Sequence, residues 1–356
     1  MTKVLVATDA WYPQVNGVVR SLESLASAAR EFGATFRFLT PEDFKTVGLP
    51  GYSEIRLVLA GPSSVGRRVE AEPFDHVHIA TEGPLGFAVR RHCLRERIPF
   101  TTSYHTNFPA YVAARTWIPE HWTYALLRRF HNAGEGTFVA TETLERDLTR
   151  RGFERLMRWS RGVNHHQFRS RPTVGIGVAR PVFLSVGRLA IEKNLSAFLK
   201  LDLPGTKVVV GDGPARRGLE AAHPDAVFLG HLSGDALARV YGGSDVFVFP
   251  SLTDTFGLVL LEAMSSGLPV AAFPVPGPRD VVGASGAGVL DEDLKRACLD
   301  ALDIPRWKPR AHAETFSWRD SARQFLDNIA VAQNDKSPGI RPLRRVRTCG
   351  KDGAVA

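Results

Sequence analysis

The stretch DVFVFPSLTDTFGLVLLEAMSSGLPV, residues 245–270, contains one complete unit of strand, turn, helix and strand. It opens with the apolar run VFVF, which indicates a buried strand. A turn rich in Thr follows, and a helix is predicted to begin near Phe256 and Gly257. The apolar run from Leu268 predicts the next strand. A helix between two strands this apolar is typical of a parallel sheet that is covered on both faces.

The same alternation of strands and helices runs along the rest of the chain. Apolar runs predict further strands at 3–8, 35–39, 76–79, 100–103, 137–140, 181–187, 207–214 and 226–230. Helical spacing of apolar residues predicts helices at 18–33, 86–96, 120–135 and 142–151. A segment rich in Pro and Gly at 169–181 separates two such series, as a linker does. We therefore predict an α/β protein with two doubly wound parallel-sheet domains, whose ligands bind at the carboxyl ends of the strands.

The predicted domains are residues 1–170 and 171–334, followed by a flexible basic tail of residues 335–356. A length of 356 residues with 44% hydrophobic and 23% charged residues fits two globular domains. The three cysteines are far apart and odd in number, so they favour a reducing cytoplasm over a disulfide framework or a metal site. Neither a signal-peptide layout nor an apolar run of about 18 residues is found, so no membrane-spanning helix is expected.

The net charge of +8 is unevenly distributed. Residues 1–172 carry 23 Lys and Arg against 17 Asp and Glu, residues 173–334 carry 16 against 18, and residues 335–356 carry 6 against 2. The basic excess therefore lies in the first half and in the tail, where it attracts an anionic bilayer, nucleic acid or a polyanionic substrate. Nucleic acid is not expected as a partner, because the basic residues do not form a recognition motif.

Two acids of the opening stretch, Asp254 and Glu262, are eight positions apart. If the helix begins between them, they lie about two turns apart on similar faces, where two carboxylates can accept hydrogen bonds from two sets of hydroxyls. The N–H groups at the helix start carry partial positive charge, and Gly257 lets a ligand approach the backbone. From the pattern alone, Asp254 is equally well an N-cap and Glu262 a solvated helix residue.

This stretch resembles the donor-site signature of the retaining glycosyltransferases of family 4, which is an acid, seven residues and a Glu, with Phe-Gly after the first acid. The resemblance implies the GT-B fold, two facing Rossmann-like domains with a cleft between them. It implies a nucleotide-sugar donor that binds without an obligatory metal ion or other cofactor. It also implies that Asp254, with Phe256, Gly257 and Leu258, holds the sugar and that Glu262 holds the ribose.

Asp254 departs from the family pattern, because most members have Glu there. Asp-Thr-Phe-Gly resembles the branch that includes the sulfoquinovosyl-, glucosyl- and mannosyl-diacylglycerol synthases. The shorter acid leaves the reaction class intact, but it leaves open which hydroxyl pattern of the sugar is recognised.

Two further motifs of the second half fit the same family. SVGRLAIEKN resembles the segment that places Arg188 and Lys193 on the donor diphosphate, where their charge balances that of the leaving nucleotide. VGDGP resembles the next turn, in which Gly211 and Gly213 permit close backbone approach. Without the resemblance, the two basic residues would be read as a solvated surface pair, and a lone GxG is weak.

Motifs of the first half complete the match. DAWYPQVNGVVRSL resembles the loop that meets the donor phosphates and the acceptor, with Asn16 in its wall and Gly17 opening a helix toward phosphate. SYHTNFP resembles the strand end that places His105 close to the sugar and the leaving phosphate. Alone, Gly17 is as readily a turn glycine, and a lone His such as His105 is more often structural.

Three remaining segments bear on the domain organisation. RGVNHHQF, residues 161–168, resembles the interdomain segment RGVD-x-x-x-F, with Asn164 where Asp is usual. FSW, residues 316–318, resembles the start of the closing helix, which crosses back to the first domain near 316–330. In HVHIATE, residues 76–82, two His and a Glu are close enough for a metal site, although the resemblance makes this a strand end on the acceptor side.

The acceptor is predicted from RTWIPEHWTYALLRRFH, residues 115–131, and RRHCLRER, residues 90–97. Aromatic residues beside basic ones suit the headgroup boundary of a bilayer, whereas the alternative is a core-packed helix with a solvated basic edge. We expect a retaining hexosyltransferase that moves a hexose or hexuronic acid, from a UDP-sugar by preference, to a membrane lipid, diacylglycerol above all. The expected location is the cytoplasm, at the inner face of the plasma membrane.

Alternatives to this function stay open at the level of the sequence. One is a GDP-mannose-dependent or similar transferase that acts on a polyprenyl-linked, lipopolysaccharide or polysaccharide acceptor. Another is a nucleotide-sugar epimerase on the same architecture. The oligomeric state is not predicted.

Overall fold

The computed structural model describes residues 1–14, 16–49, 52–109, 117–170 and 177–334. The chain divides into two compact units, of which the first comprises Met1–Ser103, Arg129–Thr137 and Leu326–Ala356 and the second Tyr104–Arg128 and Phe138–Phe325. The tail predicted for residues 335–356 lies outside the described residues. The boundary between residues 170 and 171 stays a prediction.

The described elements alternate between strands and helices in the predicted manner. The strands are β1 (Thr2–Ala7), β2 (Ala34–Leu39), β3 (Thr46–Leu49), β4 (Tyr52–Val58), β5 (His76–Ile79), β6 (Phe100–Tyr104), β7 (Gly136–Val139), β8 (Leu156–Arg158), β9 (Val182–Val186), β10 (Thr206–Val210), β11 (Val227–Phe228), β12 (Val246–Phe249), β13 (Val270–Ala272) and β14 (Gly288–Leu290). The helices are α1 (Gly17–Ala29), α2 (Pro62–Val69), α3 (Pro84–Glu96), α4 (Glu120–His131), α5 (Glu142–Arg150), α6 (Leu195–Leu199), α7 (Arg216–Ala222), α8 (Gly234–Gly243), α9 (Leu258–Ser265), α10 (Pro276–Val281), α11 (Leu294–Ala301), α12 (Trp307–Ala313) and α13 (Trp318–Asn334).

The first large sheet has six strands in the order β2-β1-β5-β6-β7-β8. β1 pairs in parallel with β2 from Thr2 opposite Ala34 to Ala7 opposite Leu39, and with β5 on its other side. The strand order reverses between β1 and β5. Ligands of open α/β sheets bind at such a reversal, beyond the carboxyl ends of the strands.

The second large sheet also has six strands, in the order β11-β10-β9-β12-β13-β14, and all of its strand pairs are parallel. Its strands are buried on both faces, with Phe183, Leu184 and Phe247 fully inaccessible to solvent. Burial on both faces explains why these strands read as continuous apolar runs and not as alternating ones. The order reverses between β9 and β12, so the loops that follow these two strands meet at the predicted ligand position.

Several elements go beyond the sequence prediction. β3 and β4 form a separate antiparallel hairpin, and α2, β8 and β14 were likewise not predicted. β8 and β14 are three residues long, too short for an apolar period to stand out. The prediction of two parallel sheets is confirmed.

Candidate active site

The loops after β9 and β12 meet where the second sheet reverses its strand order. The first of them ends in a tight 3₁₀ turn, Ile191–Lys193, after which Asn194 takes a left-handed conformation. The Asn194 side-chain amide donates to the carbonyl of Pro250 at 3.1 Å, and the Ser251 hydroxyl donates to the carbonyl of Glu192 at 3.4 Å. These bonds hold the two loops side by side.

An ion pair between Lys193 and Asp254 joins these two loops. The ammonium nitrogen lies 2.6 Å from one carboxylate oxygen and 2.8 Å from the other. The side chains are only 26% and 17% exposed, so the pair is partly shielded from water. Two alternatives from the sequence are therefore wrong for these residues: Lys193 is not a solvated surface residue, and Asp254 does not cap a helix. Arg188 is half-buried on the same loop, directly after Gly187.

Helix α9 begins beside this pair. Its N-cap is Gly257, which makes no side-chain cap and has φ of +86°, in the region that favours glycine. The Phe256 side chain is buried and packs edge-on to Phe316, with ring centroids 6.4 Å apart. Leu258 is the first helical residue and is half-buried. The first turn of α9 therefore places its backbone N–H groups next to the loop that carries Asp254.

Glu262 lies one turn into α9 and is buried. The buried Tyr241 hydroxyl, on α8, donates to Glu262 Oε2 at 3.0 Å. A buried carboxylate needs such donors, because desolvation without them is costly. The alternative of a solvated helix residue is wrong for Glu262.

The structure gives a reason why positions 211 and 213 are glycine, and this reason was not visible in the motif. At Gly211, with φ of +138°, a Cβ would come 1.8 Å from the carbonyl oxygen of Gly187. At Gly213, with φ of +154°, a Cβ would come 2.5 Å from the carbonyl oxygen of Leu189. The loop after β9 therefore packs directly on the loop after β10, and no side chain fits between them.

His105 follows β6 directly and is half-buried. Thr255, the residue after Asp254, donates its hydroxyl to the His105 carbonyl at 2.6 Å. On the ring side, the Arg161 guanidinium lies 3.1 Å from His105 Nδ1. Arg161 is buried, and burial lowers the pKa of its guanidinium to about 9. The structure thus places His105 beside the loop that holds Asp254.

Asn16 and Gly17 belong to the first compact unit, whereas all site residues described above belong to the second. The Asn16 side chain caps helix α1 and accepts from the N–H groups of Val18 at 2.9 Å and Val19 at 3.1 Å. Gly17 is the first residue of α1 and is exposed. The predicted helix start at Gly17 is confirmed, and Asn16 has a capping role in addition to any role in the loop wall.

The two His and the Glu of the segment 76–82 form buried hydrogen bonds to other residues and do not converge on one point. His76 and His78 both contact the Thr101 hydroxyl at 2.8 Å. Glu82 pairs with His131 at 3.0 Å instead. Within the described ranges, no three His, Cys, Asp or Glu side chains are arranged to hold a metal. The alternative of a metal site here is not supported.

The segment after β8 keeps the geometry that its usual Asp would give. The Asn164 side chain accepts from the N–H groups of His166 and Gln167, each at 3.1 Å, so Asn replaces Asp without loss of this turn. A Cβ on Gly162 would come 2.2 Å from the backbone nitrogen of Trp318, the first residue of α13. Gly162 therefore allows the close approach of the segment to the start of the predicted closing helix.

An aromatic and basic surface is formed by one face of α4 and the residues before it. Trp117 and Ile118 are exposed, and Trp122 and Leu126 follow at helical spacing, also exposed. Arg129, one turn further, is exposed as well. We call these five residues the α4 surface. Of the segment 115–131, residues 115 and 116 lie outside the described residues.

The opposite side of α4 is buried through Leu127, Phe130 and His131. The helix therefore has one apolar face in the core and a second one in solvent, which a purely core-packed helix does not need. No helix within the described residues is both long and apolar enough to cross a membrane.

Three contributors to the site were missed by the sequence analysis: the Thr255 hydroxyl, the Tyr241 hydroxyl and the contact of Arg161 with His105. Thr255 stands inside the quoted signature, and its position next to Asp254 was a usable signal. Tyr241 is 21 residues from Glu262, and nothing in the sequence indicated their contact.

The two halves of the chain match two family models. Residues 15–167 match Glycosyltransferase Family 4, and residues 180–303 match Glycosyl transferases group 1. A sulfoquinovosyl transferase of Arabidopsis thaliana is 30% identical over 76% of this chain, which spans 59% of that relative. A GDP-mannose-dependent alpha-mannosyltransferase of Mycobacterium tuberculosis is 30% identical over 81% of this chain and 83% of the relative. An alpha-monoglucosyldiacylglycerol synthase of Streptococcus pneumoniae is 27% identical over 83% of this chain and 77% of the relative.

Solved structures agree on the fold. A sucrose-phosphate synthase from Thermosynechococcus elongatus gives a TM-score of 0.73 at 18% identity, over 94% of this chain and 100% of that one. Anabaena HepE, solved with UDP and glucose, gives a TM-score of 0.70 at 15% identity, over 93% of this chain and 100% of that one. The fold is GT-B, as the two parallel sheets indicate. Since the family models match both halves and relatives match most of its length, this chain belongs to glycosyltransferase family 4, in the branch that includes the sulfoquinovosyl transferase and the monoglucosyldiacylglycerol synthase.

Proposed function

We propose that this glycosyltransferase moves a hexose or hexuronic acid from a nucleotide-sugar, with UDP-sugars preferred, to a membrane lipid. The observation that carries the donor side is the pair of Lys193 and Asp254 at the strand-order reversal of the second sheet. A cation for diphosphate and an acid for sugar hydroxyls stand there within one hydrogen bond of each other. The helix start at Gly257 adds N–H donors at the same place.

The leaving diphosphate is bound by Arg188 and Lys193 in this proposal. Their fixed positive charge balances the negative charge that grows on the phosphate as the bond to the sugar breaks. No metal ion is needed for that purpose. Asp254 and the backbone at Phe256 and Gly257 bind the sugar, and Glu262, held by Tyr241, binds the ribose.

Transfer proceeds with retention by front-side displacement. The acceptor oxygen forms a bond to the anomeric carbon on the face that the nucleotide leaves, while the bond from that carbon to the phosphate oxygen breaks. The acceptor hydroxyl gives its proton to the leaving phosphate oxygen, so atoms and charges balance without an enzymic nucleophile. The anomeric configuration of the product, read by proton NMR coupling constants, tests retention, and an inverted product would contradict the proposal.

The roles of the two cations are tested by Arg188→Ala and Lys193→Ala. Removal of a charge that acts on the leaving group should lower kcat by about 100-fold or more. Lys200→Ala, at an exposed lysine just after α6, is the control and should leave kcat unchanged. Turnover close to wild type in both site variants would overturn the proposal.

The acceptor side rests on the α4 surface. Exposed tryptophans beside basic residues suit the boundary between lipid headgroups and acyl chains. The net charge of +6 over residues 1–172 favours an anionic bilayer. One of the reported relatives, the monoglucosyldiacylglycerol synthase, bears the name of a glycolipid. We therefore propose diacylglycerol as the acceptor and peripheral association with the inner face of the plasma membrane.

Trp122 and Trp307 provide a matched pair for this test, since they are 67% and 66% exposed. Trp122→Asp should weaken binding to anionic vesicles at low salt by about 10-fold, since it removes an aromatic ring that enters the lipid headgroup region in the proposed bound state. Trp307→Asp, outside the α4 surface, should bind as wild type does. Binding should weaken as salt is raised. Equal loss in the two variants, or no vesicle binding by wild type at any salt, would contradict the membrane proposal.

A second candidate is a GDP-mannose-dependent transferase that acts on a polyprenyl-linked or polysaccharide acceptor. The mycobacterial mannosyltransferase favours it, because that relative is matched over more of its own length than the sulfoquinovosyl transferase. All these relatives are named as transferases or synthases, which favours transfer over epimerisation.

One experiment separates the candidates. Purified protein is incubated with diacylglycerol vesicles, with a polyprenyl phosphate or without acceptor, each with a panel of UDP- and GDP-sugars, and products are identified by mass spectrometry. A glycosyl-diacylglycerol from a UDP-sugar supports the first proposal. A mannosylated product from GDP-mannose alone supports the second, and an isomerised donor without acceptor would overturn both.

A further inference from the structure

His105 is held from its ring side by Arg161. Arg161 Nη2 lies 3.1 Å from His105 Nδ1. A guanidinium has only N–H donors, so in this contact Nδ1 must be the acceptor. In a neutral imidazole the proton is then on Nε2. The contact therefore determines the tautomer of the ring.

Arg161 is itself fixed in place. Nη1 donates to the carbonyl of Trp159 at 2.5 Å and to that of Ser160 at 3.1 Å. Its guanidinium carbon lies 3.7 Å above the Trp159 ring, at stacking distance. Trp159 is fully buried, and its indole N–H donates to Ser321 at 3.1 Å. The guanidinium thus has little freedom to leave His105.

No carboxylate within the described residues pairs with Arg161. A buried guanidinium of this kind is usually paired, because desolvation of an unpaired charge is costly. Its donors are used instead on two carbonyls and one imidazole nitrogen. Burial lowers the pKa of Arg161 to about 9, which still leaves it charged at neutral pH.

The backbone carbonyl of His105 is bound to the loop that carries Asp254. Thr255 donates to the His105 carbonyl at 2.6 Å, and the His105 ring also meets the Trp159 ring edge-on at 5.7 Å. Of the groups in these contacts, Arg161 carries charge, while Trp159 and Thr255 do not titrate. A proton on Nδ1 would place a second cation against the guanidinium.

We propose that Arg161 is a positioning residue that keeps His105 neutral with its proton on Nε2. His105 then acts in transfer as a hydrogen-bond donor to the sugar or to the leaving phosphate, and not as a general base. The inference deepens the proposed function and rests on it for the role of His105 in transfer. The tautomer itself follows from the contact with Arg161 alone.

The tautomer is tested on the full chain by ¹⁵N NMR of histidine-labelled protein, with His105→Gln used to assign the signal. The expected result at neutral pH is a neutral His105 ring with an unprotonated Nδ1 and a protonated Nε2. A charged ring, or a proton on Nδ1, would overturn the proposal. This measurement needs no activity, so it separates failure of the tautomer assignment from failure of the proposed transferase function.

The role is tested by Arg161→Gln, Arg161→Lys and His105→Gln, alone and combined, with release of nucleotide from the donor as the readout. Arg161→Gln should lower kcat by about 10- to 100-fold with donor KM within about threefold. In the His105→Gln background the same change should cost less than about twofold, because the two residues act as one unit. Arg161→Lys, which keeps one charged donor, should recover part of kcat.

A structural role of Arg161 predicts a different pattern. The effects of the two substitutions would then add, and kcat would fall in proportion to folded protein, as measured by thermal unfolding. That outcome would overturn the proposal, and the NMR measurement on the wild-type chain decides the tautomer even if Arg161→Gln fails to fold.

Discussion

The ammonium group of Lys193 lies within hydrogen-bond distance of both carboxylate oxygens of Asp254, at 2.6 and 2.8 Å. In the chain without a bound nucleotide-sugar, both carboxylate oxygens of Asp254 therefore interact with the same ammonium group. In the proposed donor complex, a sugar diphosphate that binds Lys193 also meets Asp254, so we expect phosphate binding and sugar binding to be coupled at this pair. The contact is partly shielded from water, so salt screens the attraction between the two charges less than in a pair on the surface.

Asp254→Asn is expected to lower kcat/KM for the donor by about 100-fold, which is about 2.7 kcal/mol in the transition state. The amide can neither hold Lys193 by charge nor accept as strongly from sugar hydroxyls. The measurement is steady-state release of nucleotide. Asp202→Asn is the matched control, because Asp202 pairs with Lys295 at 3.4 Å on the surface. A loss of less than about threefold at Asp254 would refute the assignment.

Tyr241→Phe is expected to raise donor KM by about 5- to 10-fold while kcat stays near wild type. The substitution removes one buried hydrogen bond to Glu262 and keeps the ring that fills the core, and such a bond contributes about 1 kcal/mol. Isothermal titration with the free nucleotide checks the same effect at equilibrium. A drop in kcat with unchanged nucleotide affinity would place Glu262 outside the nucleotide site.

Gly211→Ala is expected to destabilise the second unit by several kcal/mol and to abolish donor binding. A methyl group there would overlap the Gly187 carbonyl and would require a φ that L-residues rarely adopt. Gly218→Ala, in the interior of α7 with open space around it, is the matched control and should stabilise the chain by about 0.5–1 kcal/mol. The two variants are compared by urea unfolding, and equal midpoints would contradict the packing of the two loops.

Acid should destabilise the first unit through His76. Burial lowers the pKa of His76 to about 3, from 6.5 in the unfolded chain. Between these values the unfolded chain binds a proton that the folded one does not, so stability is lost as pH falls from 6.5 toward 3. The slope is about 1.4 kcal/mol per pH unit for one proton.

Urea unfolding over this pH range measures the acid dependence. His76→Gln should lower stability at neutral pH, since it disturbs the buried contact with Thr101. Below pH 6.5, the slope of its unfolding free energy against pH should be smaller than that of wild type, because about one proton fewer is taken up on unfolding. A variant with the acid dependence of wild type would show that His76 is not responsible.

The sequence predicted the fold well because both sheets are parallel and covered on both faces. Such strands appear as continuous apolar runs, and β5 was predicted with its observed bounds, His76–Ile79. The hairpin of β3 and β4 was missed, since it lies outside the two large sheets and lacks that apolar signal. The strand order within each sheet was not predicted, because order depends on contacts between strands that no local pattern records.

The sequence named candidate residues for the site but not the contacts that these residues make with one another. Lys193 and Asp254 were both assigned to the donor, yet their mutual contact joins residues 61 positions apart. The same holds for Arg161 and His105, which are 56 positions apart. Gly211 was assigned to close backbone approach in the donor site, which stays a prediction, and the structure adds that Gly211 makes room for the neighbouring loop.

The two large sheets differ in one respect that bears on how such a chain can be rebuilt. In the second sheet the first three strands stand in a row, β9, β10 and β11, whereas in the first sheet the third strand, β5, stands on the other side of β1. The halves are therefore not interchangeable copies of one design, because a strand would have to cross the sheet to convert one into the other. A chain rebuilt with one half duplicated in place of the other would therefore bring different loops together at the strand-order reversal.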